Sequence, residues 1–269
     1  MIKETTVDSW QFLSERLNCT PTLALILGSG LSRITDAVEK RVTVEYAEIP
    51  GMGAGTVQGH SYQIVSGYLS GTPVVIFSGR FHYYEGYSLG EVTRPVRLAQ
   101  ALGAQKLILT NSAGSLHPQL RPGFYTVITD HLHLMSGNPL RGDKNNGRRH
   151  KFVPMTNAYD PELRKIALAE AKELDLRVKE GVYVGIDGPS YETSAEVKAF
   201  AGMGGDIIGM STTPETIMAR SLGMTVLGLS AVTNYAGSVG EDHSKVLKRA
   251  ESMTAGFVDW VKAIVGNMG

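Results

Sequence analysis

The stretch Leu23-Ala24-Leu25-Ile26-Leu27-Gly28-Ser29-Gly30-Leu31-Ser32 decides how the rest of the chain is read. Five apolar residues in a row, bounded by small turn residues, fit a strand buried on both faces, as in a parallel sheet. The glycines and serines after them make a tight turn. Backbone N–H groups and the Ser29 hydroxyl can there face an anion at a helix start, although a plain turn would use the same residues. Position 33 is Arg where a dinucleotide fingerprint wants a third glycine, and no Gly-Lys-Ser/Thr follows, which excludes a P-loop.

The pattern recurs outward from this point. Tyr62–Val65 and Val74–Phe77 flank Ser70-Gly71-Thr72-Pro73 and read as a hairpin. Lys106–Thr110, Tyr125–Thr129, Val182–Gly185, Asp206–Gly209 and Met224–Leu229 are further strands. Helices are predicted over Gly90–Leu102, Pro161–Leu174, Ser194–Ala201, Pro214–Ser221 and His243–Val265. Asp160 before Pro161 and Thr213 before Pro214 are cap residues preceding a proline at the first helical position. In the last helix Val246, Leu247, Ala250, Met253, Phe257, Trp260, Val261 and Ile264 keep a 3–4 spacing, which predicts a buried stripe. Alternating strands and helices imply an α/β fold, a single domain over residues 1–269 with a mixed, mostly parallel sheet flanked by helices. The polar segment Arg141–Lys151 reads as a surface loop, with a lid as the alternative.

The chain has 26 basic and 26 acidic residues and a pI near 7.1. That balance argues against nucleic-acid or membrane-surface binding, which needs a basic excess. Cys19 is the single cysteine, so no intramolecular disulfide forms, in keeping with a reducing compartment. No apolar run reaches the ~18 residues of a membrane span, and Met1–Trp10 lacks a signal-peptide core. The expectation is a soluble, cytoplasmic protein. Glycine accounts for 31 of 269 residues, above the usual ~7%, which predicts many tight strand-to-helix turns.

In open α/β sheets ligands bind beyond the carboxyl ends of the strands, and several segments there carry chemistry. Ser78–Tyr87 holds Arg80 and His82 two residues apart among four aromatics, and arginine is the natural fork for a phosphate or carboxylate. Thr110-Asn111-Ser112-Ala113-Gly114-Ser115 offers backbone donors or a crowded turn. Tyr191 can stack on a flat ring while Glu192 accepts from ring N–H groups; the alternative is an acidic helix start. Ser211 sits near a helix start as a second anion site, and Asn234 can both donate to and accept from a heterocycle. His131 and His133 share a strand face, but no third ligand at metal spacing accompanies them, so no metal site is expected. No G-x-S-x-G nucleophile motif occurs.

Together these segments resemble the trimeric, low-molecular-mass purine nucleoside phosphorylases. The resemblance runs through Leu27–Leu31 (LGSGL), Gly59-His60, Gly79–Tyr87 (GRFHYYEGY), Thr110–Ser115 (TNSAGS), Asn157–Asp160 (NAYD), Gly188–Glu196 (GPSYETSAE), Gly209–Glu215 (GMSTTPE) and Thr233-Asn234. It implies that Ser29, Arg80, His82, Ser211 and the backbone near Ser112 and Ala113 hold phosphate, with His60 completing that side. Tyr84, Met210 and His243 would line the ribose. Glu192 and Asn234 would bind the purine, with Tyr191 packed against it, and Phe152 would reach a neighbouring subunit's ribose pocket. His82, Glu192, Asn234 and His243 are the implied catalytic set. The implied reaction is phosphorolysis of purine (deoxy)ribonucleosides, chiefly inosine and guanosine, with phosphate as co-substrate, no cofactor, a homotrimer, and a place in purine salvage. Ser112 and Ser115 depart from the family's TNAAGG. Asn at 234 and the motif after Gly188-Pro189 disfavour a methylthioadenosine phosphorylase. An oxidoreductase would need the missing glycine, and a non-catalytic binder would share the pocket without turnover.

Overall fold

The computed structural model describes residues 2–53, 55–57, 59–142, 152–238 and 243–268, and the side chains of 2–6 and 243 lie outside the description. In chain order the elements are α1 (Ile2–Ser14), β1 (Leu23–Ile26), β2 (Glu39–Glu45), β3 (Gln63–Leu69), β4 (Thr72–Ser78), α2 (Leu89–Val92), α3 (Arg94–Ala101), β5 (Lys106–Ser115), β6 (Tyr125–His133), α4 (Pro161–Glu173), β7 (Val178–Gly185), α5 (Ser194–Gly202), β8 (Ile207–Gly209), α6 (Thr213–Ser221), β9 (Thr225–Tyr235) and α7 (His243–Gly266). Among the described residues the strands form one nine-stranded sheet in the order β2-β3-β4-β1-β5-β8-β7-β6-β9, and β5 also pairs with β9. That extra pairing closes β5, β8, β7, β6 and β9 into a ring. The sheet is mixed: β1 runs parallel to β4 and β5, and β5 to β9, while β3 is antiparallel to both neighbours.

β1 shows why the apolar run is continuous. Ala24 and Ile26 enter one core, and Leu23, Leu25 and Leu27 enter the other, so both faces are covered. The predicted stripe of α7 packs into the second core with Met253, Phe257, Trp260, Val261 and Ile264. There the Trp260 indole N–H donates to the Ala167 carbonyl of α4 at 2.8 Å, satisfying its one polar atom. Asp160 caps α4 by accepting from the N–H groups of Glu162 and Leu163.

The structure corrects three expectations. The helix predicted over Gly90–Leu102 is two, because Thr93 ends α2 and opens α3, where Pro95 lacks the N–H that a continuous helix would use. Thr110–Ser115 is the second half of β5 rather than a turn after it, and Thr233-Asn234 likewise lies within β9. Small residues there serve close packing. A Cβ on Gly28 would lie 2.6 Å from the Asn111 Cα, so only glycine lets the turn after β1 cross β5. Strand β2 and helix α1 were not anticipated; β2 is largely exposed on the sheet edge and carries no apolar alternation strong enough to read.

Candidate active site

The parallel strands β1, β4, β5 and β9 bring their carboxyl ends to one side, and the segments beyond them meet in a single cleft. The cleft spans about 680 Å³, part of it open to solvent, and is lined by Ser29, Arg80, His82, Tyr84, Ser112, Ala113, Tyr191, Glu192, Met210, Ser211 and Asn234. Eleven sequence-predicted residues from six separate segments therefore share one wall system.

One end is built for an anion. Arg80 is 1% exposed; its NH1 donates to Ser211 Oγ at 2.9 Å and its NH2 to the Ile26 carbonyl at 3.2 Å. Ser211 is pinned from the other side, where its N–H donates to the buried Tyr183 hydroxyl at 3.4 Å. Ser29 Oγ lies 3.1 Å from His60 Nε2, and the Ser112 hydroxyl donates to the Ser29 carbonyl at 3.2 Å, which ties the turn after β1 to β5.

His82 is buried, and its ring stacks on Tyr84 at 4.8 Å between centroids. The Glu85 carboxylate faces both His82 Nδ1, at 3.1 Å, and the His82 backbone N–H, at 2.8 Å. With Nδ1–H directed at Glu85, the ring turns Nε2 to the cleft. Burial pushes His82 below the usual histidine range, and the Glu85 hydrogen bond opposes that without overcoming it. Burial alone would raise Glu85, but hydrogen bonds from His82 and Thr56 outweigh it and hold the carboxyl at about 2. A fixed carboxylate thus orients a largely neutral imidazole.

The other end suits a flat polar heterocycle. Asn234 is 6% exposed; its Oδ1 accepts from the Thr233 hydroxyl at 2.9 Å, and its Nδ2 donates to the Tyr235 carbonyl at 3.2 Å. One amide hydrogen and one oxygen lone pair remain for a ligand. The β5–β9 pairing shifts register between Ala113 and Gly114, a bulge at Thr233 of β9 that sets where Asn234 falls. Burial raises the Glu192 carboxyl above its ordinary value. Tyr191 stands at the mouth, 43% exposed.

His60 does not line this cleft; it stands behind Ser29 and acts on it through the hydrogen bond. Phe152 is 95% exposed and is not part of the cleft wall. The side chain of His243 lies outside the described residues, as do residues 143–151 of the predicted loop. His131 and His133 are engaged elsewhere, His131 Nδ1 with the Tyr159 hydroxyl at 3.1 Å and His133 Nδ1 with Thr213 Oγ1 at 2.7 Å. Sequence reasoning missed Asn111, Thr233 and Val246, which also line the cleft, and Glu215, which pairs with Arg80 beneath it. Glu215 was visible in GMSTTPE, but only contact across 135 positions reveals its partner.

The cleft gathers residues suited to an anion and residues suited to a heterocycle at the carboxyl ends of these strands, and the comparisons with known proteins point the same way. The model of the Phosphorylase superfamily matches residues 22–264, and the chain belongs to that superfamily. It is 46% identical over 261 residues to purine nucleoside phosphorylase 1 of Geobacillus stearothermophilus, covering 96% of this chain and 95% of that protein. It is 36% identical to purine nucleoside phosphorylase of Bos taurus, over 97% of this chain and 94% of the relative. The crystal structure of Schistosoma mansoni purine nucleoside phosphorylase in complex with inosine superposes with a TM-score of 0.91 at 35% identity, covering 99% of this chain and 97% of that one. Within the superfamily, the chain is a member of the purine nucleoside phosphorylase family.

Proposed function

We propose that this protein catalyses phosphorolysis of purine (deoxy)ribonucleosides, chiefly inosine and guanosine, to the free base and (deoxy)ribose 1-phosphate. The observation that carries this reading is the juxtaposition, in one cleft, of Arg80, Ser211, Ser29 and His82 with Glu192 and Asn234. A phosphate oxygen attacks C1′, the C1′–N9 bond breaks, and its electron pair passes to the purine. The proton lost by hydrogen phosphate is matched by the proton the departing base gains. Positive charge develops on the sugar and negative charge on the base, so catalysis needs an anion held under C1′ and donors at the base.

In this reading Ser29, Arg80, His82, Ser211 and the Ser112 and Ala113 backbone hold phosphate, with His60 supporting Ser29. Tyr84 and Met210 border the ribose, and His243 reaches its 5′-hydroxyl. Tyr191 covers the base. Glu192 accepts from a ring N1–H, which selects 6-oxopurines, and the free hydrogen of Asn234 Nδ2 meets the base near N7 as charge builds there. Phosphate is a co-substrate, and the chemistry as written calls on no cofactor. By the pattern of the family, the protein works as a cytoplasmic homotrimer in purine salvage, with Phe152 completing a neighbour's ribose pocket. Its exposure is compatible with that role.

The test is hypoxanthine release from inosine with and without inorganic phosphate, alongside adenosine and methylthioadenosine. Phosphate-dependent release from inosine and not from the other two is the expected result. Release without phosphate would mean a hydrolase and would leave Arg80 and Ser211 without their role.

A further inference from the structure

Beneath the cleft lies a fully buried carboxylate that the reaction above does not use. Glu215, in the first turn of α6, is 0% exposed. Its Oε2 accepts from the Thr212 backbone N–H at 2.7 Å, and its Oε1 stands 3.3 Å from Arg80 Nε. Thr212 is held at φ +69°, a left-handed conformation that costs a threonine strain. Its hydroxyl accepts from Asn111 Nδ2 at 2.9 Å and lies 3.0 Å from Ser211 Oγ. Glu215 therefore touches both halves of the anion end: the guanidinium on one oxygen, and on the other the strained turn that presents Ser211.

We propose that Glu215 is the positioning residue of the phosphate end, orienting Arg80 through its Nε edge while it holds the Thr212 turn in place. The inference rests on the phosphorolysis reading and deepens it. A carboxylate suits this place because Oε2 accepts from the Thr212 N–H while Oε1 sets its charge beside the guanidinium as an ion pair without a hydrogen bond, leaving both Oε1 and Arg80 Nε otherwise unpartnered. Glutamine, of nearly the same shape, would turn one oxygen into an NH2 directed at either Thr212 or Arg80. The contact at the Nε edge also leaves the guanidinium's terminal nitrogens for Ser211, Ile26 and an incoming anion. Burying such a pair gives little net stability, so its place under the site is accounted for by orientation.

The experiment measures KM for inorganic phosphate and for inosine in the full-length wild type and in Glu215→Gln, with thermal melting as a folding control. We expect the phosphate KM to rise at least tenfold while the inosine KM stays within threefold. Glu215→Asp, which keeps both acceptors on a shorter stem, should recover part of that loss. In an Arg80→Lys background, where the fork is already gone, adding Glu215→Gln should raise the phosphate KM by less than it does in the wild type, because only the hold on the Thr212 turn is left to lose. A folded Glu215→Gln with an unchanged phosphate KM would overturn the inference, as would equal rises in both constants or a rise on Arg80→Lys as large as that in the wild type. Should Glu215→Gln not fold, Glu215→Asp carries the test: a phosphate-to-inosine KM ratio raised threefold supports the role and an unchanged ratio overturns it. Wild-type turnover that ignores phosphate would instead bring down the functional reading, and this inference with it.

Discussion

Glu85 grips His82 twice, at the ring through Nδ1 at 3.1 Å and at the backbone N–H at 2.8 Å, so ring and chain are set by one carboxylate. Because that carboxyl is held at about 2, it stays ionised across the whole working range. Burial nevertheless keeps His82 below the ordinary histidine value. In the phosphorolysis reading, the imidazole would therefore meet phosphate mostly uncharged, and the anion itself would favour the proton.

Glu85→Gln is expected to lower the His82 pKa further, since it removes the partner that favours imidazolium. NMR titration of the ring checks this directly. The same variant should lose about tenfold in kcat/KM for phosphate, the scale of one misdirected contact.

Asn234→Ala removes the group proposed to donate to the departing base and is expected to cost ~10²–10³ in kcat for inosine, the usual effect of deleting one transition-state donor. Asn234→Asp should weaken inosine turnover and admit adenosine, because an acid can accept from a 6-amino group. Initial rates on both nucleosides decide it; unchanged inosine kinetics in either variant would remove Asn234 from the site.

The Glu192 carboxyl is raised by burial, and in the proposed reading its ionised form is the one that accepts from the ring N1–H. As pH falls through that raised pKa, kcat/KM for inosine should therefore fall. Glu192→Gln is expected to lower the plateau and abolish that acid limb. A pH–rate profile that keeps the same acid limb in Glu192→Gln would assign it to another group.

Gly28→Ala places a methyl 2.6 Å from the Asn111 Cα and 2.8 Å from the Thr110 carbonyl. Both are backbone atoms of a central strand and cannot swing aside. The expected cost is about 1–3 kcal/mol, the range for overpacking, which lowers Tm by several degrees for a chain of this size.

His131 is lowered by burial to about 4, so the folded protein binds fewer protons than the unfolded chain between there and about 6.5. Its contribution to stability is complete above the unfolded pKa and is lost as pH falls through the folded one. His131→Gln should flatten the decline of urea-unfolding stability across that window. An identical slope would show that other groups carry the acid sensitivity.

Much of this protein could be read from its residues in order. The continuous run at Leu23–Leu27 announced a strand covered on both faces, Asp160-Pro161 announced the start of α4, and the spacing from Val246 to Ile264 announced the buried face of α7. These signals are local, set by neighbours in sequence and by the period of helix or strand. The residue types at Arg80, Glu192, Ser211 and Asn234 likewise marked them as polar groups suited to a ligand, and the fold brings all four to one cleft. Tertiary structure alone decided which residues share a cleft, and which partners hold them. Arg80 meets Glu215, and Ser29 meets His60, across stretches that no periodicity links. The bulge at Thr233 of β9, opposite Ala113 and Gly114, depends on how β5 registers against β9 and sets where Asn234 falls. The small residues of Thr110–Ser115 look like a turn in sequence and form a strand in space, because the β1 turn presses against them at Gly28. Propensity acts within a segment; close packing and the pairing of buried polar groups act between segments, and only the fold supplies those neighbours.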